Sequence, residues 1–324
     1  MSEKQFSRRQ ALAFAGAAAT ALAFPWSRHA VAQSTQPAAA AKPVEERRFK
    51  IAGDDLFLNN NRQKIKSFKI AQKAGLDGIQ LDMGGLPKDA ATGKQSLKTT
   101  LRDPAVRQQF LDESKKTGVR IASMAWFAMY AHVYANMDIA VEVGHEWIET
   151  ISQMGCQLGF MPLMTKDGTL AEPEHGEVWK KTVGVFKTIA PAAEKAGVVL
   201  GVESNLDGDG YKKFLDAVGS PAVRAFYNPG VGLGDYKYDV YADLKSLGKD
   251  RIAALHLEQG SVAPETFERR LGDGLINFPK LRDTLLDIGW GGWMSIARSR
   301  LKGTTSADTN MRANGDYVRS IFPE

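Results

Sequence analysis

The chain has 324 residues, a formal net charge of +5 and a single cysteine, Cys156. One cysteine excludes an internal disulfide and a cysteine-based zinc site, and we predict a buried structural thiol. Residues 1–32 carry four basic side chains and one acidic one, so removing them lowers the charge by 3 and leaves about +2. A nearly neutral domain offers no basic surface for nucleic acid, and a nucleic-acid partner is therefore not expected.

The first 32 residues have the pattern of a twin-arginine signal peptide. Arg8 and Arg9 follow Ser7, an alanine-rich apolar run covers residues 11–24, and the small-x-small site ends at Ala32. The run of 14 residues is shorter than the ~20 that a spanning helix needs, so no stable membrane anchor is expected. The pattern predicts recognition by the twin-arginine translocon, cleavage after Ala32, and a periplasmic or secreted protein.

Residues 33–46 combine Ser, Thr, Gln, Pro and a run of Ala without an apolar period. This composition predicts a disordered linker. The folded part then covers residues 47–324, a length that suits one large α/β domain.

Short apolar strands alternate with amphipathic segments along the folded part. Strands are predicted at residues 49–52, 78–81, 120–125, 158–163, 198–202, 224–227, 252–257 and 293–296. Several intervening segments have helical apolar spacing and end near a glycine, among them Gly75, Gly118, Gly197 and Gly289. Eight such units predict an α/β fold of the (β/α)8 TIM-barrel type, with a doubly wound open sheet as the alternative.

Several common site motifs are absent from the sequence. The first predicted strand leads into Gly53-Asp54-Asp55 rather than a G-x-G-x-x-G turn, which argues against dinucleotide binding. The chain also lacks the G-x-x-x-x-G-K-[ST] phosphate loop and the G-x-S-x-G nucleophile elbow.

Polar residues at the carboxyl ends of the strands are the candidates for the site, because barrel enzymes place their chemistry there. Glu203, Asn228 and His256 each end an apolar strand on consecutive units. Their oxygen and imidazole groups can hold a divalent ion, or can form a hydrogen-bonding pocket without a metal. Further candidates for substrate binding follow other strands: Trp126, His132, Lys166 and Arg298.

Several segments carry a family resemblance. These are LDGIQ at 76–80, LRDPAVR at 101–107, KTGVRIAS at 116–123, GVES at 201–204, LGDG at 271–274, INFP at 276–279 and DIGW at 287–290. Together they resemble the xylose isomerase-like TIM barrels, a superfamily of sugar-phosphate isomerases, ketose 3-epimerases, hydroxypyruvate isomerases and inosose-converting enzymes. The resemblance runs from about residue 50 to the end and does not single out a substrate.

The resemblance implies a set of metal ligands, two of which are replaced in this chain. Metal-dependent members bind Mn, Mg or a similar ion through Glu, Asp, His and a final Glu, and two of these carboxylates move a proton between adjacent carbons. Matched by position, the first and third ligands are Glu203 and His256, Asn228 replaces the Asp, and Ala297 occupies the fourth position. The resemblance therefore implies Glu203 and His256 as catalytic residues, with a divalent metal (Mn, Mg or Zn) weakly held or absent.

Three functions remain open. The protein is an isomerase, epimerase or lyase that abstracts a proton from a sugar-like substrate, a catalytically silent carbohydrate-binding barrel, or an enzyme with other chemistry on this scaffold. Because an exported enzyme rarely meets sugar phosphates, the expected substrate is a non-phosphorylated carbohydrate or polyol. Members of the superfamily are often dimers or tetramers, which implies a homo-oligomer.

Overall fold

A computed structural model describes residues 44–59, 63–86, 99–131, 134–165, 168–170, 176–235, 237–260, 270–297 and 306–322. They fall within one compact unit, Lys42–Glu324. The predicted signal peptide and residues 33–43 of the predicted linker lie outside the described residues. Residues Val44–Glu46, also assigned to the linker, form a 3-10 turn instead.

Eight parallel strands close into a barrel, which confirms the predicted TIM-barrel fold. Each strand lies within two residues of its predicted position. The strands are β1 Phe49–Asp54, β2 Gly78–Asp82, β3 Arg120–Ala125, β4 Leu158–Pro162, β5 Val199–Glu203, β6 Val223–Tyr227, β7 Ile252–Leu257 and β8 Gly292–Ile296. Each strand pairs with its sequence neighbours, and β8 closes the barrel by pairing with β1 from Phe49↔Gly292 to Gly53↔Ile296.

Helices and 3-10 turns connect the strands. The helices are α1 Asp55–Asn59, α2 Lys66–Lys73, α3 Pro104–Thr117, α4 Ala140–Gln153, α5 Glu177–Ala196, α6 Gly208–Val218, α7 Pro229–Asp235, α8 Val240–Leu247, α9 Phe278–Asp287 and α10 Ala307–Ile321. The predicted glycine ends are present: Gly118 and Gly197 cap α3 and α5 with φ of 72° and 65°, a left-handed conformation that favours glycine. Among the described helices, none has the length and apolarity needed to cross a bilayer.

Side chains that point inward from the strands fill the barrel in layers. In the middle layer, the Phe160 ring lies 4.9 Å from Phe226 and 4.4 Å from His256, measured between centroids. Because side chains alternate along a strand, the residues two positions further on, such as Pro162 and Asn228, lie in the layer nearer the carboxyl ends. A layer of aromatic rings thus lies directly below the layer at the carboxyl ends of the strands.

Tight contacts on the outer face hold the helices against the barrel. The Trp147 indole of α4 packs against Gly159 of β4, where an added Cβ would lie 2.3 Å from the ring. The Trp147 indole N–H also donates to the carbonyl of Met124 in β3, at 3.1 Å. Cys156 is buried nearby, as predicted.

A buried carboxylate links the first strand to the last helix. Asp77 precedes β2, and its Oδ2 accepts hydrogen bonds from the Ile51 backbone N–H and from Arg319 of α10, both at 2.7 Å. Its Oδ1 forms an ion pair with Arg47, which precedes β1. One side chain therefore stabilises the contact between the two ends of the barrel sequence.

Candidate functional site

Glu203 and His256 form a buried pair at the carboxyl side of the barrel. Glu203 is the last residue of β5, and His256 lies near the end of β7. His256 Nδ1 lies 2.6 Å from Glu203 Oε2, and both residues are 1% exposed. A carboxylate can only accept, so Nδ1 carries the hydrogen of this bond. The structure thus brings together the two residues predicted to be catalytic.

The second ring nitrogen of His256 contacts the opposite wall of the barrel. Nε2 lies 2.7 Å from Oε1 of Gln80 in β2, and the Ser295 hydroxyl of β8 donates to the same oxygen at 3.4 Å. A continuous chain of polar contacts therefore crosses the barrel from Ser295 through Gln80 and His256 to Glu203. This chain fixes the orientation of the imidazole ring at both of its nitrogens.

Two further side chains contact the Glu203 carboxylate. The Tyr130 hydroxyl, on the 3-10 turn Phe127–Ala131 after β3, donates to Oε1 at 3.0 Å. The Asn228 amide donates to Oε2 at 3.4 Å, and its Oδ1 accepts from the Val231 backbone N–H at 3.1 Å. Glu203 Oε2 therefore contacts His256 and Asn228, whereas Oε1 contacts Tyr130, which lies in the loop after β3.

Aromatic rings enclose this polar group from below. Phe160 and Phe226 lie 4.4 and 4.6 Å from the His256 ring, measured between centroids. The Tyr130 ring lies 6.4 Å from Phe160, which places apolar surface beside the carboxylate as well. Excluding water from a charged group in this way strengthens its electrostatic interactions.

The placed side chains do not fit a divalent ion. A metal ligand needs a free lone pair directed at the ion, but both His256 nitrogens face protein oxygens, and Glu203 Oε2 contacts Nδ1 directly. The Asn228 oxygen accepts a backbone hydrogen bond instead, and Ala297 supplies no donor atom. Within the described ranges, no group of three or more His, Cys, Asp or Glu side chains could hold a metal ion.

The other predicted substrate-binding residues have different outcomes. Trp126 follows β3 and is fully buried, so its role in substrate binding stays a prediction. His132, Lys166 and Arg298 lie outside the described residues. Gln80 and Tyr130, which follow or end predicted strands but are not among the predicted site residues, contact His256 and Glu203 in the structure. The sequence could have indicated Gln80, because it lies two residues before Asp82 on β2 and the two side chains share one face of the strand. A residue in a 3-10 turn, such as Tyr130, follows no periodic pattern that would predict its position.

Three buried donors on the carboxyl side have no acceptor among the described residues. They are the side-chain N–H groups of Gln80, Trp126 and Gln259, and each side chain is wholly buried. Buried polar groups are nearly always hydrogen-bonded to protein, water or ligand. Donors of this kind match the acceptor oxygens of a hydroxylated ligand.

Comparison with known proteins gives the family. The profile of the xylose isomerase-like TIM barrels matches residues 68–320, most of the chain. The protein therefore belongs to this family, as the sequence motifs predicted. No curated protein sequence matches the chain.

Solved structures with the same fold include sugar epimerases. The chain is similar to D-allulose 3-epimerase from Methylomonas sp., with 15% identity over 85% of this chain and 98% of that one, at a TM-score of 0.65. The chain is also similar to D-psicose 3-epimerase from Clostridium cellulolyticum H10, with 14% identity over 85% of this chain and 99% of that one, at a TM-score of 0.64. A third similar structure is 3-keto-D-glucoside 4-epimerase from E. coli, with 13% identity over 84% of this chain and 99% of that one, at a TM-score of 0.64. Identities this low establish the shared fold alone.

Proposed function

We propose that the protein is an exported sugar isomerase/epimerase-like or lyase-like enzyme that abstracts a proton from a non-phosphorylated carbohydrate or polyol. The observation that carries the proposal is the buried Glu203–His256 pair at the carboxyl side of the barrel, 2.6 Å apart. Catalytic groups of TIM-barrel enzymes lie at this end of the strands. The sugar epimerases among its structural neighbours support a substrate of this class.

Glu203 is the general base of the proposed reaction. His256 and Asn228 hold Oε2, so that Oε1 is the atom that receives a proton from a carbon next to a carbonyl group. Charge that develops on the carbonyl oxygen needs a hydrogen-bond donor. The Tyr130 hydroxyl, which donates to Oε1 at 3.0 Å, serves as this donor when it redirects its hydrogen to the substrate oxygen. His256 acts through Glu203 and is held by Gln80.

The metal site of this enzyme is depleted. Asn228 removes one carboxylate from the ligand set that the family resemblance implies, and Ala297 removes another. Because the placed residues do not fit an ion, the proposed proton transfer uses protein side chains.

Export and assembly are further parts of the proposal. The Arg8-Arg9 pair and the site ending at Ala32 support passage through the twin-arginine translocon to the periplasm or the medium. A periplasmic location favours a substrate without phosphate, and a homo-oligomer remains our expectation from the resemblance.

The test is proton exchange followed by NMR. The mature protein is incubated in D2O with a panel of ketoses and 3-keto-glycosides, and loss of the C–H signal next to the carbonyl is measured. We expect exchange in the natural protein and a loss of at least a hundredfold in Glu203→Gln. The control is Glu149→Gln, an exposed residue of α4 that is hydrogen-bonded to Gln153, which should exchange normally. Equal exchange in Glu203→Gln would contradict the assignment of the base.

A second function is favoured by one observation. Ala297 provides no second carboxylate at the end of the barrel, as expected for a catalytically silent carbohydrate-binding barrel. Saturable binding of a sugar in calorimetry, without exchange or product on the whole panel, identifies this function instead.

A further inference from the structure

A cavity lies at the opposite end of the barrel from the Glu203–His256 pair. It has a volume of about 410 Å³ and is lined by residues at the amino ends of β3 to β8. We call it the basal cavity and define it by Arg120, Ile121, Leu158, Val199, Arg224 and Trp293. Its volume falls within the roughly 300–1,000 Å³ that is typical of small-molecule sites. The amino end of a TIM barrel normally carries packing rather than ligands.

The charge of the basal cavity is positive. Arg120 and Arg224 contribute two guanidinium groups, and of the described residues that line the cavity none is acidic. The Nε of Arg224 donates to the Pro221 carbonyl at 2.9 Å, which anchors the planar group. Its terminal nitrogens have no acceptor within the described part of the chain. An oriented guanidinium of this kind binds a carboxylate through two parallel hydrogen bonds.

The wall of the basal cavity is flat and apolar. The Trp293 indole reaches across to β2, where a Cβ added to Gly78 would lie 3.0 Å from the ring. Ile121, Leu158 and Val199 supply aliphatic surface around it. Partly exposed tryptophan surface favours stacking with a planar ring.

We infer that the basal cavity is a binding site for a small carboxylate with a flat apolar body. The two arginines attract the negative charge of the carboxylate. Trp293 and the aliphatic side chains pack against the ligand's flat apolar body. The middle layer of Phe160, Phe226 and His256 separates this site from the proposed catalytic carboxylate, so the inference does not depend on the proposed function.

The test titrates benzoate into the full protein and follows the ligand's ring protons by NMR. Acetate, which keeps the charge without the ring, and benzamide, which keeps the ring without the charge, are titrated in parallel. We expect saturable binding of benzoate, with acetate and benzamide at least tenfold weaker. Absence of saturable benzoate binding, or equal binding of acetate, would overturn the inference.

Variants locate the binding. Arg224→Gln and Trp293→Leu should each weaken benzoate binding at least tenfold. The control Arg282→Gln, a half-buried residue of α9 that is paired with Asp283, should leave it unchanged. Far-UV circular dichroism checks the fold of each variant. Because Arg224 is half-buried, the exposed Arg120→Gln gives a second measurement with less risk to folding. Benzoate affinity that stays at the natural level in both arginine variants would refute the assignment.

Discussion

Replacing Asp77 tests whether one buried carboxylate stabilises the junction between the ends of the barrel. Asp77 is 3% exposed, and it contacts Arg47, Arg319 and the Ile51 backbone N–H. Asp77→Ala leaves that buried N–H without its acceptor, which costs about 1–3 kcal/mol. Breaking a buried ion pair costs about 3–5 kcal/mol, but the Arg47 and Arg319 side chains are 13% and 24% exposed and regain some hydration.

The expected loss in the free energy of unfolding is therefore about 3–5 kcal/mol for Asp77→Ala. Asp77→Asn keeps an acceptor for Ile51 but loses the charge and the acceptor oxygen that faces Arg47, so we expect about 1–3 kcal/mol. Guanidinium unfolding followed by tryptophan fluorescence measures both variants. Such losses are a large part of the roughly 5–15 kcal/mol that stabilises a typical domain.

The matched control is Asp283→Ala, because Asp283 pairs with Arg282 at 2.6 Å but is 60% exposed. An exposed ion pair contributes at most about 1 kcal/mol, and the control should change the midpoint little. A loss below ~0.5 kcal/mol in Asp77→Ala, or one no larger than in the control, would refute the reasoning.

Three further predictions concern packing, pH and the site. Gly159→Ala places a methyl group against Trp147 and should cost about 1–3 kcal/mol of stability by overpacking, read from chemical unfolding. Burial raises the pKa of Cys156 from its ordinary 9.0 to about 11. The unfolded chain then releases a proton that the folded chain keeps, so stability should fall by roughly 1 kcal/mol from pH 9 to 10, and this part of the loss should disappear in Cys156→Ala. Tyr130→Phe removes the donor to Glu203 and should lower kcat roughly tenfold to a hundredfold at an unchanged melting temperature; an unchanged kcat would exclude a role for the hydroxyl.

The alternation of strands, helices and glycines was enough to predict the barrel and its eight strands. These signals are local, because a strand's apolar run and a left-handed cap such as Gly118 depend on a few neighbouring residues. The same logic predicted that Glu203 and His256 lie at the site, since each lies at or next to the end of a strand. The family motifs added the expected ligand set and identified Ala297 as its altered position.

The sequence by itself therefore determined the fold and the position of the candidate site residues along each strand. Only the tertiary structure decided which of them touch. Gln80 and His256 are 176 residues apart and lie on strands that are not neighbours in the sheet. They meet because the closed barrel directs side chains from opposite walls to one axis. That meeting engages both imidazole nitrogens, and the buried Glu203–His256 pair lies where the resemblance had implied a divalent metal weakly held or absent.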